Sequence, residues 1–195
     1  MNRVHGLICS SGWWARTVER RLLPWALDGV DLEGEVLEIG PGFGATTRVL
    51  AERAGSLTAL ELDPSYCARL RRELGRSVDV VEGDATAMPF ADASFDTVVC
   101  FTMLHHVPSA AQQDRLLAEV TRVLRPGGMF AGSDSVGTSR FFRLLHVGDT
   151  LVPLPVEAMP VRLEGAGLDD PRVSVGGSSF RFRAKKPAAA AARSL

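Results

Sequence analysis

A short apolar segment that runs directly into closely spaced glycines is the feature that most constrains the fold of this 195-residue chain. Glu35–Ile39 is predicted to be a strand, and Gly40-Pro-Gly-Phe-Gly44 follows it at once, before a predicted helix from about Ala45 to Arg53. Glycines at such a junction allow a sharp turn and a close approach of the backbone to a ligand, while the following helix presents free N–H groups to an anion. The pattern predicts a ligand-binding strand–loop–helix unit.

Strands and helices alternate after this unit. The predicted strands are Leu57–Leu62, Val78–Glu82, Phe95–Phe101 and Met129–Ser133, and the predicted helices are Pro64–Leu74 and Ala110–Leu124. Because parallel strands need a crossover connection, usually a helix, this order indicates a mostly parallel sheet that is covered on both faces. The expected fold class is therefore an α/β, doubly wound domain.

The last third of the chain has a different pattern. Helices are expected over Phe141–Val152 and Pro155–Ala166. Arg172–Val175 and Ser179–Arg183 flank Gly176-Gly177, and these two segments are predicted to form a closing antiparallel hairpin.

Three regions are expected along the chain. Residues 1–33 are expected to form a helical cap, and residues 34–186 the ligand-binding domain. In the cap, apolar residues recur at roughly helical spacing from Trp13 and Trp14 to Leu23, with a break near Pro24 before Trp25. Residues 187–195 are a low-complexity stretch that is expected to be disordered. The tryptophans are expected to pack the cap onto the sheet, with closure of Trp13 or Trp14 over a substrate as the alternative.

Composition excludes several function classes. The 22 basic and 23 acidic residues give a net charge of -1, so a nucleic-acid partner is not expected. The three cysteines show no metal-ligand or disulfide spacing, so no metal site is expected and a reduced, cytoplasmic protein is predicted. No run of 18 apolar residues and no secretion signal are present, so no integral membrane segment is expected.

Acidic residues follow the next two predicted strands. Glu61 ends the second strand, about 20 residues after the glycines, where it is placed to accept hydrogen bonds from the two hydroxyls of a ribose. Asp84 follows the third strand and could accept a hydrogen bond from the exocyclic amine of adenine. The glycines have the spacing G-x-G-x-G, whereas dinucleotide sites favour G-x-G-x-x-G, so a nicotinamide-dependent oxidoreductase is a disfavoured alternative.

Five segments in this order resemble the class I S-adenosylmethionine-dependent methyltransferases, and within them the small-molecule group that includes the ubiquinone/menaquinone-biosynthesis methyltransferases. The segments are Leu37–Gly44, Leu60–Pro64, Gly83–Phe90, Phe95–His106 and Arg122–Gly128. The resemblance implies a seven-stranded Rossmann-like sheet whose last strand is antiparallel. It also implies in-line transfer of a methyl group from S-adenosyl-L-methionine to a small-molecule acceptor, with S-adenosyl-L-homocysteine as the product.

The same resemblance implies which residues bind the cofactor. The methionine portion would be held by Glu38 and by the backbone of Gly40, Gly42 and Gly44. The adenosine portion would be held by Glu61 at the ribose, by Leu62 against the adenine, and by Asp84 with the Ala85 N–H at the adenine edge. Phe101 and Thr102 would lie beside the methionine amine and the transferred methyl group.

The catalytic group is less constrained by the sequence. His105 and His106 follow the fourth strand, and either could be a general base or an acceptor contact, although a histidine in this place is more often a packed, hydrogen-bonded residue. A non-catalytic, cofactor-binding regulator is the second alternative for the function, because fold and cofactor do not prove turnover. Either a monomer or a homodimer is compatible with the sequence.

Overall fold

The computed structural model describes residues 3–137 and 147–189. Four helical segments follow one another over residues 3–26: α1 spans Arg3–Cys9, α2 spans Gly12–Thr17, a π-helical turn spans Val18–Leu22, and α3 spans Leu23–Ala26. The Ser11 side chain accepts a hydrogen bond from the Trp14 N–H and so caps α2. Trp25 lies against Gly176, and the Arg181 guanidinium carbon is 5.5 Å from the centre of the Trp25 ring. The helical cap therefore packs on the last strands through Trp25.

Strands and helices alternate over residues 35–82 and again from the strand that starts at residue 95 to the one that ends at residue 176, as the periodicity predicts. The strands are β1 (Glu35–Ile39), β2 (Ser56–Glu61), β3 (Asp79–Glu82), β4 (Phe95–Phe101), β5 (Leu124–Ser135), β6 (Asp169–Gly176) and β7 (Ser179–Lys185). The α-helices are α4 (Ala45–Ala51), α5 (Pro64–Leu74), α6 (Ala110–Val123) and α7 (Met159–Gly165), with 3-10 turns at Leu104–His106 and Val156–Ala158.

All seven strands form one sheet in the order β3-β2-β1-β4-β5-β7-β6. β1 to β5 are parallel neighbours, and β7 is antiparallel to both β5 and β6. The predicted doubly wound α/β sheet with an antiparallel last strand is confirmed. The order reverses between β1 and β4, and ligands of open α/β sheets bind beside the carboxyl ends of the strands at such a switch point.

Two apolar layers cover the sheet, because successive side chains of a strand point to opposite faces. Leu37 and Ile39 of β1 pack with α6 and α7 on one face, whereas Val36 packs with α4, α5 and the helical cap on the other. Cys67 and Cys100 are buried, one in each layer. Both faces of the central strands are therefore filled, and the strand ends are left for binding.

The structure corrects two predictions. β5 begins at Leu124 rather than Met129, because Leu124 already pairs with Phe95 before the register shifts across residues 125–128. The helix expected over Phe141–Val152 is wrong for residues 147–152, where Gly148 has a φ of +82° and no helix forms, and residues 141–146 lie outside the described residues. No helix of the described residues is long and apolar enough to cross a membrane.

The division of the chain into a helical cap, a ligand-binding domain and a disordered tail stays a prediction. The boundary at residue 34 falls just before β1, and residues 187–189 have no regular structure. The rest of the expected tail, residues 190–195, lies outside the described part of the chain.

Candidate active site

In the loop after β1, two glycines have different structural roles. Gly40 has a φ of +65°, and a Cβ atom there would lie 2.3 Å from the Met103 Cγ. Gly42 has a φ of +54°, but no atom lies within 4 Å of the place where its Cβ would be. Gly40 therefore closes the loop against the turn after β4, and Gly42 leaves room for a ligand beside its backbone.

Glu61 at the end of β2 is a buried carboxylate, only 8% exposed. Its Oε2 accepts a hydrogen bond from the Gly42 N–H at 2.9 Å, and its Oε1 accepts bonds from Leu62 and Asp63 N–H groups at 2.9 and 3.0 Å. Glu61 therefore joins the ends of β1 and β2. The neighbouring Leu62 side chain is 68% exposed, which leaves it available to cover a bound ring.

A cavity of about 1060 Å³ opens at the carboxyl ends of β1, β2, β3 and β4. This volume is at the upper end of the range for small-molecule sites, roughly 300–1,000 Å³. Ten of the twelve predicted site residues line it: Gly40, Gly42, Glu61, Leu62, Asp84, Ala85, Phe101, Thr102, His105 and His106. Glu38 and Gly44 do not line it, and Gly44 instead caps α4 with a φ of +74°.

Glu38 lies behind the glycine loop. Its Oε1 accepts a hydrogen bond from the Thr46 hydroxyl, and Thr46 lines the cavity. Its Oε2 is buried without a hydrogen-bond partner among the described residues. Burial raises the pKa of Glu38 to about 7 from its ordinary value of 4.5. An unpartnered buried carboxylate oxygen is costly, so this position favours a ligand that brings a donor or a positive charge.

The ends of β3 and β4 complete the part of the cavity that the strand ends form. Asp84 is exposed, and its Oδ1 accepts a hydrogen bond from the Thr86 N–H at 2.8 Å, so its carboxylate is held by the local turn. Thr102 has a φ of +49°, a conformation that costs a non-glycine residue about 1–3 kcal/mol and is concentrated at functional sites. The Thr102 N–H donates to the Ser133 carbonyl at 2.7 Å, which holds this strained residue at the end of β4.

The two histidines differ in their surroundings. His105 is buried, and its Nδ1 lies 2.5 Å from the Asp134 Oδ1, while its backbone N–H donates to Asp134 Oδ2 at 3.2 Å. His106 is less buried, and its Nδ1 donates to the Thr150 carbonyl at 3.2 Å. The two ring centres are 4.2 Å apart. Both histidines line the cavity, and among the described residues His105 is the one paired with a buried carboxylate.

Three further residues at the site were not predicted: Asp134, which lies behind His105, and the lining residues Phe43 and Tyr66. Asp134 was missed because it lies 29 residues from His105 in the sequence. The pairing of β4 with β5 brings the ends of these two strands together, and this adjacency could have indicated the contact. Phe43 and Tyr66 line the cavity as a tilted aromatic pair with ring centres 4.9 Å apart. Trp13 and Trp14 of the helical cap, whose closure over a substrate is the alternative that the sequence left open, also line the cavity.

Comparison with known proteins adds the family. A family model described as a methyltransferase domain matches residues 37–132, which contain the glycine loop, Glu61, Asp84 and both histidines. A fatty-acid O-methyltransferase of Mycolicibacterium smegmatis is 39% identical over 111 residues, 54% of this chain. Residues 37–132 form a methyltransferase domain of the S-adenosylmethionine-dependent kind.

Two further proteins are similar to this methyltransferase. A phthiotriol/phenolphthiotriol dimycocerosates methyltransferase of Mycobacterium tuberculosis is 41% identical over 111 residues, again 54% of this chain. The chain covers 39% of the length of each of these two curated relatives. The solved structure of an S-adenosylmethionine-dependent methyltransferase from Methanosarcina mazei has a TM-score of 0.70 and 21% identity, and the match covers 85% of this chain and 98% of that one.

The site of this methyltransferase fits the family's cofactor, S-adenosylmethionine. Gly42 leaves open space beside its backbone, Glu38 has a buried oxygen without a partner, and Glu61 holds a carboxylate at the next strand end. These are acceptors and open backbone, as an ammonium group and ribose hydroxyls require. The assignment of individual residues to parts of the cofactor remains a prediction.

Proposed function

We propose that this protein transfers a methyl group from S-adenosylmethionine to an apolar small-molecule acceptor. The observation that carries the proposal is the convergence of the glycine loop, Glu61 and Asp84 on one cavity at the switch point of the sheet. The acceptor class is supported by two relatives, a fatty-acid O-methyltransferase and a phthiotriol/phenolphthiotriol dimycocerosates methyltransferase. The narrower resemblance to quinone-biosynthesis methyltransferases, the cytoplasmic location, the monomer or homodimer and the lack of a nucleic-acid partner stay predictions.

Bound S-adenosylmethionine supplies a methyl group on a positively charged sulfur, which a nucleophilic acceptor atom displaces. The protein's contribution is alignment and exclusion of water, which together supply several kcal/mol of such a reaction's barrier reduction. Glu38, Gly40 and Gly42 would hold the methionine portion, and Glu61 would hold the ribose. Leu62 would cover the adenine.

The acceptor side of the cavity is built from the helical cap and α6. Trp13, Trp14 and Leu116 contribute apolar surface there, and His105 contributes a group that could take a proton. We infer that the cap closes the acceptor pocket. This role agrees with the large cavity volume, which leaves space for a second molecule beside the cofactor.

Titration calorimetry with S-adenosylhomocysteine tests the cofactor site. Wild-type protein is expected to bind, and Glu61→Gln is expected to bind at least about tenfold more weakly, because a hydrogen bond to a charged group contributes about 1.5–3 kcal/mol. Glu82→Gln is the matched control, since Glu82 is exposed and faces Glu61 in the β2–β3 register without lining the cavity. Absence of binding by wild-type protein, or equal affinities of wild type and Glu61→Gln, would contradict the proposal.

A further inference from the structure

The helical cap exposes two large apolar side chains. Leu7 of α1 is 72% exposed, and Trp13 of α2 is 68% exposed. Single exposed apolar residues are common on protein surfaces and need no explanation. These two are set apart by their place, because Trp13 itself lines the cavity and Ile8, the neighbour of Leu7, lines it as well. The exposed apolar surface of the cap therefore adjoins the mouth of the cavity.

The exposed side of α2 and of the π-helical turn is basic. Its exposed arginines are Arg16, Arg20 and Arg21. Val18 and Leu23 of the same helical run are fully buried in the apolar layer against the sheet, and the opposite side of the run faces solvent. Trp13 and Arg16, three residues apart, share one face of α2. Between residues 12 and 27 the sequence has three arginines and one acidic residue, Glu19, so this run carries a net positive charge.

Apolar and basic side chains on one helical face match the surface of an anionic bilayer. An indole ring prefers the boundary between lipid and water, and arginines are attracted to anionic head groups. We propose that the outer face of the helical cap docks on an anionic phospholipid surface. This outer face consists of Leu7, Trp13, Arg16, Arg20 and Arg21. Docking brings the mouth of the cavity to the lipid, and it goes beyond the proposed methyl transfer without depending on it.

The charges favour this occupant over a second copy of the chain. A symmetric contact between two outer faces would bring arginines against arginines, and like charges across an interface repel. The charges also favour the cap over the opposite rim of the cavity. There the exposed Leu62 precedes Asp63, an exposed carboxylate that accepts a hydrogen bond from the Ser65 N–H at 2.8 Å and would repel anionic lipid.

Sedimentation with vesicles tests the proposal on the unmodified protein. One vesicle preparation is phosphatidylcholine alone, and the other contains about 30% phosphatidylglycerol, which makes its surface anionic. Each arginine near an anionic leaflet contributes about fivefold in affinity, so we expect at least about tenfold tighter binding to the anionic vesicles. A rise in salt to about 0.5 M is expected to remove most of this preference. Equal binding to both preparations, or binding to neither, would overturn the proposal.

Variants locate the contact. Trp13→Ser is expected to weaken binding to the anionic vesicles about fivefold, and Arg16→Gln/Arg20→Gln at least about tenfold. Val161→Ser, at an equally exposed apolar side chain on α7, and Arg76→Gln, at an exposed arginine after α5, are the matched controls and keep wild-type binding. Circular dichroism checks that every variant is folded. Wild-type binding by both cap variants, or equal losses in the controls, would overturn the role of the outer face.

Quenching by brominated phosphatidylcholine in the anionic vesicles tests the orientation. Trp14→Phe/Trp25→Phe keeps only Trp13, and Trp13→Phe/Trp14→Phe keeps only Trp25, which lies against Gly176. We expect the emission of Trp13 to be quenched and that of Trp25 to change little. Quenching of Trp25 instead, or of neither residue, would overturn docking through the outer face. Burial of Trp13 in a dimer that forms without vesicles would overturn it as well, since a second copy would then be the occupant.

The docking proposal and the proposed function fail separately. Binding of anionic vesicles by a protein that does not bind S-adenosylhomocysteine would overturn the proposed function and leave the docking surface in place. Normal S-adenosylhomocysteine binding without binding of anionic vesicles would overturn only the docking surface.

Discussion

Glu38 has one carboxylate oxygen bonded to Thr46 and one without a described partner, at a position that is only 1% exposed. A buried carboxyl group favours its protonated form, which is why burial raises the Glu38 pKa to about 7. Above neutral pH, where Glu38 is ionised, its burial lowers the free energy of unfolding. A buried residue with this cost beside a binding loop is a candidate for ligand binding.

The raised pKa of Glu38 predicts how the free energy of unfolding depends on pH. In the folded state Glu38 keeps its proton up to about pH 7, whereas the unfolded chain loses it near the ordinary value of 4.5, so the folded state binds more protons between these values. The contribution of Glu38 to the free energy of unfolding is therefore expected to be greatest below pH 4.5 and to fall as the pH rises to 7. The loss is at most about 3 kcal/mol at 1.36 kcal/mol per pKa unit.

Urea unfolding of wild type and Glu38→Gln from pH 5 to pH 8 measures this contribution. The difference in unfolding free energy between the two proteins is expected to shift in favour of Glu38→Gln as the pH rises. Glu35→Gln, at the exposed end of the same strand, is the control and keeps the wild-type slope. A difference between wild type and Glu38→Gln that does not change with pH would refute the effect.

At the level of elements, α6 fixes the turn that carries the histidines. The buried Gln113 side chain donates to the Leu104 and Val152 carbonyls, each at 3.0 Å, and its Oε1 accepts from the Arg162 guanidinium at 2.9 Å. One side chain therefore joins α6, α7, the turn after β4 and the segment that precedes α7. This arrangement holds the wall of the cavity on the acceptor side.

Removal of this side chain has a predictable effect. Gln113→Ala is expected to lower the free energy of unfolding by about 1–3 kcal/mol, because it leaves buried carbonyl groups without donors. The same substitution at Gln112, which is less buried, is expected to stay within about 0.5 kcal/mol of wild type. Urea unfolding with equal m-values checks both variants, and equal losses at the two positions would be inconsistent with this role.

The elements that the sequence predicts well are those whose signal is local. Glu35–Ile39 and Phe95–Phe101 are predicted to the residue, because apolar runs between turn residues mark buried strands. The start of β5 is different, since Leu124 continues the apolar spacing of α6 and only its pairing with Phe95 makes it a strand. Tertiary pairing, which a single sequence does not display, decides that boundary.

The same distinction applies to the site. Gly40 and Gly42 lie in the loop that follows β1, and Glu61 ends β2, so their place at the cavity follows from the order of the elements. The bond between His105 and Asp134 depends instead on two strands meeting in register, with Phe101 of β4 beside Ser133 of β5. A pair of this kind becomes visible only when the neighbouring strands and their ends are considered together.

On the scale of the whole molecule, the helical cap and the sheet edge enclose one cavity from two sides. Trp13 and Trp14 line that cavity, whereas Trp25 lies apart from it against Gly176 and Arg181. The fluorescence of Trp13 and Trp14 therefore reports on the cavity, and that of Trp25 reports on the contact between the helical cap and the last strands. Binding between the sheet edge and the cap is expected to change the emission of the first two and to leave that of Trp25 nearly constant.

Fluorescence titration with S-adenosylhomocysteine checks this coupling. Trp25→Phe is expected to keep the full ligand-induced change, and the double variant Trp13→Phe/Trp14→Phe is expected to lose most of it, although both proteins still bind by calorimetry. Saturation at 100 times the Kd stabilises a folded protein by about 2.7 kcal/mol, so a rise in Tm should accompany binding in both variants.

If the double variant keeps the emission change while Trp25→Phe loses it, the ligand does not reach the cap. If the emission of neither variant changes although the Tm rises, the cap remains distant from the bound ligand, and the acceptor pocket must be closed by another part of the protein.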